Sequence, residues 1–583
     1  MCNAGDRSVL ILYATETGTA QDVAERLARL CRRIHFSCRV FSTDKYSLSD
    51  LISEPLILFV VSTTGSGLEP RAMSLMWKTL LRSDLPVDLF EDLSFAVFGL
   101  GDSAYEKFCW PAKKLSRRFV SLGATEICDR GEGNDQDPLG VDEALESWLD
   151  KIMQVLVQAY PLPPDLEIIP AAAVPPARAS MVQDTELDPP TPTGGFHLTT
   201  LRCNTRITAE DWYQDVRHLE FDFDEDIQYS PGDVAVIRPL ASPSDVESFL
   251  DRMGWLDIAD TPFRITHLMT DQSLPELMGE AVTPRTLFAQ HLDFNSVPRR
   301  TFFNYLRYFT ADELENEKLE EFLSREGADD LYEYCYRVRR TIREVLADFR
   351  HVTIPIDYVF DVFPPLRPRQ FSIASSVKVF PRQIHLCVAI VKYRTTLKVP
   401  RRGVCTTYLA SIRKGDKVRI ALQQGLIKPT PVNNTPVICV GPGTGVAPMR
   451  ALIQERLHIG PCDNTLYFGC RSATKDQHYG SEWRSYASTG ALVYRTAFSR
   501  DGPEGTKRVY VQDVMQEDAQ RLWKLIHAGA SVLISGSSNK MPVAVKNALR
   551  FAAETYGQLS VDEAADFVSR MEEKGQLMEE CWS

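Results

Sequence analysis

Arg369-Gln370-Phe371-Ser372-Ile373-Ala374-Ser375-Ser376 follows the breakers Pro364-Pro365 and Pro368. The breakers and the short apolar run predict a β-strand that ends in small hydroxyl residues. Such a strand offers one fixed cation, one aromatic face and several hydroxyls. That set suits a ligand with a pyrophosphate and a flat ring, although an ordinary core strand reads the same way. Its surroundings therefore carry the weight. Upstream, 196–224 alternates in strand fashion and leads to Tyr229-Ser230-Pro231-Gly232-Asp233-Val234-Ala235-Val236, a turn followed by a strand. Short strands resume at 383–392 and 417–422, and together these predict a small antiparallel β-barrel. Between them, about 242–349, apolar and charged residues recur at i, i+3 and i+4, the pattern of a helical insertion. Such an insertion is able to orient one domain against another.

Downstream, Gly403-Val404-Cys405-Thr406-Thr407-Tyr408-Leu409 reads as a turn with Thr406 as helix cap, directing N–H groups at a pyrophosphate. Pro436–Val440 is a buried strand that opens into Gly441-Pro442-Gly443-Thr444-Gly445-Val446-Ala447-Pro448-Met449-Arg450. Here glycines admit a second pyrophosphate, and the helix N-terminus adds its positive end. Ser499 and Arg500, then Arg508, Val509, Tyr510, Val511 and Gln512, are expected at two neighbouring strand ends. They put cations where an NAD site carries an acid, and a guanidinium matches a 2′-phosphate in bidentate fashion. The dinucleotide is read as NADPH.

The N-terminal stretch follows the same logic. Ser8–Ala14 (SVLILYA) is a continuous apolar run, as in a strand buried on both faces of a parallel sheet. It breaks into Thr15-Glu16-Thr17-Gly18-Thr19-Ala20 and then a helix with Val23, Leu27 and Leu30 at helical spacing. Backbone N–H groups and the helix dipole there face one phosphate; an ordinary capped turn has the same local form. The loop lacks the Gly-Lys-Ser/Thr ending that holds a magnesium triphosphate. A second strand ends at Ser62 in Thr63-Thr64-Gly65-Ser66-Gly67. A third ends at Leu100 in Gly101-Asp102-Ser103-Ala104-Tyr105-Glu106-Lys107-Phe108, before Cys109. Three such strand ends predict a doubly wound α/β fold with a ligand at its sheet edge. Tyr105 either stacks on the ring or fills the core.

From 129 to 150 there are eight acidic residues and one Arg130, either a solvated face or a docking surface for a basic electron acceptor. The stretch 161–195, PLPPDLEIIPAAAVPPARASMVQDTELDPPTPTGG, is proline-rich and without period, an extended linker that is a hinge or a passive spacer. Across 583 residues, 44% are hydrophobic and 25% charged, as in globular proteins, and the length suggests three or four domains. A net charge of -13 argues against nucleic-acid binding. The start leaves no room for a signal peptide, and no apolar run reaches the roughly 18 residues of a membrane anchor. The 13 cysteines form no Cys-x-x-Cys pair, which fits reduced thiols, no metal and a cytoplasmic setting.

The N-terminal loops resemble those of flavodoxin-like FMN domains, and Arg369 with the Gly403 turn resembles the FAD-binding pair of the ferredoxin–NADP reductase group. Apart from the linker, the whole chain is similar to the diflavin reductase family. The resemblance implies a flavodoxin-like FMN domain (1–158), a linker (159–195), an FAD-binding β-barrel with the helical insertion (196–430) and a Rossmann-like NADP domain (431–583). FMN would then be held by Thr15–Ala20, Ser62–Gly65, Leu100–Cys109 (Gly101, Asp102, Ser103, Ala104, Tyr105, Glu106, Lys107 and Phe108 between) and Asp135. Arg369 and Gln370 would meet the FAD pyrophosphate with Gly403, Val404, Cys405 and Thr406. Phe371 would pack on the ring, and Ser372 would lie near the flavin N5. Arg339 is either a further FAD contact or a surface charge. Trp582 would cover the FAD ring until nicotinamide displaces it, with Glu580 beside it, so Ser372, Glu580 and Trp582 form the expected catalytic group. Thr444 joins the NADPH contacts.

The chain also departs from its relatives. Leu68-Glu69-Pro70 stands where Asp-Pro closes the flavin loop, Ser535 where a Cys precedes the last glycine turn, and Ala544 where an acid follows. A thinner hydride-transfer network and modest turnover are expected. Within the family the resemblance is strongest to soluble members of cytosolic iron–sulfur protein assembly. It implies electron flow from NADPH through FAD and FMN to an iron–sulfur protein of the anamorsin type. A haem protein or methionine synthase as acceptor, or a flavin-fold scaffold without turnover, are the other readings.

Overall fold

Six consecutive apolar residues, Val9 to Ala14, need cover on both faces, and Ser8–Ala14 (β1) obtains it in the middle of a parallel sheet. β1 runs into helix Thr19–Arg33 (α1), and the sheet continues through Ser37–Ser42 (β2), Leu56–Ser62 (β3), Ser94–Gly101 (β4) and Thr125–Glu126 (β5). The spatial order is β2-β1-β3-β4-β5, with Gly131–Asn134 also pairing with β4. This is the flavodoxin-like order, and it brings the loops after β1, β3 and β4 to one carboxyl edge. Leu27 and Trp148 fill the core on one face of the sheet; Phe59, Phe95 and Phe119 fill the other.

The computed structural model describes residues 7–65, 67–105, 107–184, 195–270, 272–275, 278–279, 281–428, 435–460, 463–503, 505–538 and 540–582. The chain divides into two compact units. Met1–Pro192, Ser242–Arg367 and Thr395–Leu397 form the first; Thr193–Ala241, Pro368–Arg394 and Lys398–Ser583 form the second. The helical stretch thus belongs with the flavodoxin-like sheet, and its helices include Pro243–Met253, Arg300–Leu306 and Glu313–Leu323. Part of the proline-rich segment is ordered into the same unit. Ala179–Gln183 is a strand paired with Phe263–His267, which pairs in turn with Ala281–Val282. Arg178 anchors it: its guanidinium lies 2.6 Å from Glu25 on α1 and 3.6 Å from Asp361.

In the second unit, Arg369–Ser372, Val234–Ile237, Lys417–Gln423, His197–Arg206, Val216–Asp222 and Gln383–Ala389 form one antiparallel sheet in that order. Among the described residues its outer strands meet at the Ile373–Leu386 bridge, where the Ala374 N–H donates to His385 O at 2.7 Å. The expected barrel is therefore a curved sheet whose edges touch at one point, not a continuous ladder. The physical reason is the shortness of the first strand, which ends at Ser372. A second, wholly parallel sheet has the order Val493–Phe498, Asn464–Cys470, Val437–Val440, Ser531–Ser537, Leu577–Trp582. No helix among the described residues is long and apolar enough to cross a membrane. None of the described cysteines is in a disulfide.

Candidate functional site: three anion cradles and a hydroxyl–carboxylate pair

In the first unit, the turn after β1 is shaped by Gly18, whose φ of 94° is open to glycine and strained for other residues. The Gly18 N–H donates to Thr15 Oγ1 at 2.8 Å, and no side-chain hydrogen bond caps α1. Two guanidiniums approach it. A Cβ on Gly18 would lie 2.5 Å from Arg367 Nε, and Arg299 Nη1 donates to Gly18 O at 3.1 Å. Sequence reasoning missed both cations, because each sits far along the chain from this turn. The only local hint is their setting, Pro298-Arg299 and Arg367-Pro368.

The two companion loops are tied to this turn. Glu16 accepts from the Arg71 N–H at 2.8 Å, and Thr63 N–H donates to Leu100 O at 2.8 Å. Thr63 Oγ1 is buried without a hydrogen-bond partner among the described residues. The third loop is held by Asp102, which accepts from the Ala104 N–H at 2.8 Å, and by Asn134, which accepts from the Ser103 N–H at 2.9 Å. Gly67 packs on Lys107, and Cys109 is buried at φ 50°. Tyr105 and Phe108 are half-buried, which leaves ring faces available at the edge; Glu106 lies outside the described residues. A helix end without a side-chain cap, a buried hydroxyl without a partner among the described residues and one aromatic loop fit a phosphomonoester bearing a flat ring, as in FMN.

The acidic stretch is less open than a docking face requires. Glu132 is paired with Lys113 at 3.2 Å and Arg130 at 2.8 Å, and Asp142 lies 3.6 Å from Arg26. Asp129, bonded to Lys151, Asp135, Glu143 and Asp150 are the exposed members.

In the second unit the Arg369 strand divides its hydroxyls. Arg369 and Gln370 are exposed, and Phe371 and Ser372 are half-buried, so this end presents a cation and an aromatic. Ser375 and Ser376 instead turn inward and are fully buried. Ser375 Oγ bonds Tyr229 Oη at 2.9 Å and accepts from the His385 N–H, and Ser376 Oγ donates to Glu455 at 3.0 Å. They build the core and offer nothing to a ligand. Helix Val404–Ser411 begins after Gly403 with no side-chain cap. Thr406 is not the expected cap: its hydroxyl donates to Gly403 O at 3.3 Å and accepts from the Val391 N–H at 3.1 Å. Burial pushes the Cys405 thiol up to about 12, so its backbone N–H is what remains for an anion. An exposed arginine and an uncapped helix end fit the diphosphate of FAD.

The glycine turn after Val437–Val440 allows close backbone approach: a Cβ on Gly445 would lie 2.1 Å from Ser535 O. Gly443, at φ 57°, faces open space beside half-buried Thr444. Ser499 and Arg500 follow the edge strand Val493–Phe498, with the Ser499 N–H on Cys470 O at 3.0 Å. Residues 507–510 are not a strand end as expected but the exposed approach to helix Val511–Glu517. Arg508, Val509 and Tyr510 lie open there, Val511 is buried and Gln512 half-buried. Asp513, accepting from the Tyr510 N–H at 2.9 Å, starts the helix at this point. Open arginines beside a glycine turn fit a nicotinamide dinucleotide with a 2′-phosphate.

Two stations meet at the end of the chain. Leu577–Trp582 is an edge strand that places Glu580 opposite Ser535 and Trp582 opposite Ser537. Glu580 is buried, and the Ser372 hydroxyl donates to its Oε2 at 3.4 Å; Trp582 is 40% exposed. Ser535 Oγ, beside this pair in register, is buried without a partner among the described residues. Arg339, exposed at φ 53°, belongs to the first unit, whereas Arg369 belongs to the second.

Comparison with known proteins finds three family matches in order along the chain. Residues 11–148 match the family described as Flavodoxin, 196–408 the FAD binding domain, and 439–547 the Oxidoreductase NAD-binding domain. The proteins named "NADPH-dependent diflavin oxidoreductase 1" from Danio rerio and Xenopus laevis are 40% and 38% identical to the chain. The alignments cover 99% of this chain in both cases and 99% and 100% of those proteins. The Bos taurus protein of that name is 39% identical over 99% of each chain. An edge of flavin-type loops, two further anion cradles and full-length similarity leave one conclusion: the chain belongs to the NADPH-dependent diflavin oxidoreductase family.

Proposed function

We propose that this oxidoreductase takes electrons from NADPH through FAD and FMN to an iron–sulfur acceptor protein of the anamorsin type, in cytosolic iron–sulfur cluster assembly. The observation that carries the reading is the Ser372–Glu580 contact of 3.4 Å, which sets a hydroxyl and a carboxylate beside the FAD-type strand and the terminal tryptophan. When bound, the flavins accept two electrons together and release them singly, work that no side chain can do.

The chain's own residues supply position and charge. Arg369 and the helix end at Gly403 would hold the FAD diphosphate, and Arg500 and Arg508 the 2′-phosphate. The turn Thr15–Ala20 would hold the FMN phosphate. Glu580 orients the Ser372 hydroxyl, and buried beside it there is little water to screen the interaction. Trp582, 40% exposed on an edge strand, would cover or uncover the face where nicotinamide must stack. The acceptor type rests on the sequence resemblance; exposed Asp129 and Asp135 supply the acid side of a docking surface for a basic patch.

The test is anaerobic stopped-flow reduction by NADPH, followed at flavin wavelengths and then mixed with a [2Fe–2S] protein of that type. Reduction of both flavins and their reoxidation by the partner is the expected result. If FMN stays oxidised, or the partner leaves both flavins reduced, the proposal fails.

A further inference from the structure

A cavity of about 360 Å³ lies within the first unit, away from the loops at the carboxyl edge of the flavodoxin-like sheet. Its walls are α1, helix Arg300–Leu306 and the proline-rich segment near Ile169–Pro176. Six arginines line it: Arg26, Arg29, Arg32 and Arg33 from α1, with Arg300 and Arg307 from the facing side. Only two carboxylates share that lining, Glu146 and Asp361, and both are committed. Glu146 is divided between Arg26 at 2.6 Å and Arg300 at 3.2 Å. Asp361 accepts from the Arg178 N–H at 3.0 Å and faces the Arg178 guanidinium.

Two of the remaining cations rest on neutral acceptors. Arg29 and Arg33 form no ion pair among the described residues; Arg29 donates to Thr301 Oγ1 at 3.2 Å and Arg33 to Ile169 O at 2.8 Å. Arg307 reaches Ala171 O at 2.7 Å and Glu320 at 3.2 Å, but its Nε is buried with no acceptor among the described residues. Six guanidiniums gathered in a half-enclosed space lined by two carboxylates repel one another and lose hydration. Their planar donors match tetrahedral oxyanions in bidentate fashion. Tyr305, under Arg29 at 5.7 Å, and Tyr308, under Arg307 at 4.9 Å, hold these guanidiniums from below. Ile169 and Val174, 37% and 46% exposed, mark an opening to solvent.

We propose that this arginine cavity binds a compact, multiply charged oxyanion, the chemistry of a phosphorylated small molecule. The bound anion joins α1, whose N-terminus carries the Thr15–Ala20 turn, to the helical stretch, and so ties ligand occupancy to the coherence of this unit.

The test is isothermal titration of the full-length protein with inorganic pyrophosphate. FMN, FAD and NADP⁺ are kept saturating so that their own phosphate sites are filled. One site per chain is expected, with affinity falling at least tenfold in Arg29→Gln and in Arg33→Gln. Both residues lack ion pairs, so the fold is spared, and an unchanged melting temperature without pyrophosphate checks this. The proposal is overturned if the wild type does not bind, if both variants bind equally well, or if sodium chloride at matched ionic strength reproduces the heat. A phosphorylated metabolite and a free phosphate source are told apart by repeating the titration with orthophosphate: weaker binding favours an occupant with linked phosphates, and stronger binding overturns that part of the claim.

Discussion

Ser372 and Ser375 stand three positions apart, the first at the end of a short strand and the second beyond it, and do different work. Ser372 is half-buried with its hydroxyl on Glu580, while Ser375 is sealed among Tyr229 and the His385 backbone. The spacing of hydroxyls in the sequence carries no information on this split, because it depends on where the strand ends and the chain turns inward. If Glu580 orients Ser372 for hydride transfer, Ser372→Ala should slow flavin reduction by NADPH about 100-fold, the low end of the range for losing a positioned proton-handling group. FAD content should stay as in the wild type. Pre-steady-state reduction rates beside released-flavin measurements decide it: an unchanged rate, or loss of FAD, removes the role assigned to this hydroxyl.

At the scale of elements, the strand Gln383–Ala389 shows how packing sets electrostatics. His385 is 3% exposed on this strand; burial, then Arg450 at 3.3 Å, His218 and Arg202 lower its pKa to about 2. The folded pKa is depressed below the ordinary imidazole value of about 6.5. The unfolded chain therefore takes up a proton that the folded chain refuses, so this stability contribution is present above pH 6.5 and is lost as pH falls below it. The slope for one such group is about 1.4 kcal/mol per pH unit. Melting temperatures at pH 7.5, 6.0 and 5.0 should fall more steeply for the wild type than for His385→Gln. Parallel falls would mean that other groups dominate. The same elements show what was legible beforehand: glycine turns at Gly18 and Gly443–Gly445 were readable, because each is encoded within a few contiguous residues. The Thr406 cap was not, since its hydroxyl is claimed by Val391, fifteen positions earlier.

At the scale of the molecule, the proline-rich segment holds an anchor. Arg178 is 5% exposed between Glu25 and Asp361. Burial alone would raise the Glu25 carboxyl, but the Arg178 charge and hydrogen bonds hold it below its usual range. Removing one member of such a group leaves buried charge without a partner, which costs about 3–5 kcal/mol. Arg178→Ala should therefore lower the melting temperature of the first unit and open the segment around 179–183 to protease. A change below about 0.5 kcal/mol in a chemical-denaturation curve would show the anchor to be solvent-screened instead. Composition pointed to a spacer here because prolines dominate the count, while a single buried arginine decides how part of the segment is held.

The order of cradles along the chain, the flavin-type loops, the nicotinamide turn and the family itself were determined by the sequence alone. Each rests on backbone N–H groups, glycines and helix starts that adjoin one another in the chain, so local chemistry suffices to specify them. Only the tertiary structure decided the rest: the Ser372–Glu580 pair across 208 positions, the cations Arg299 and Arg367 at the phosphate turn, and the buried Arg178. These arise from which distant side chains are shut away from water together, and burial of that kind has no periodicity to read.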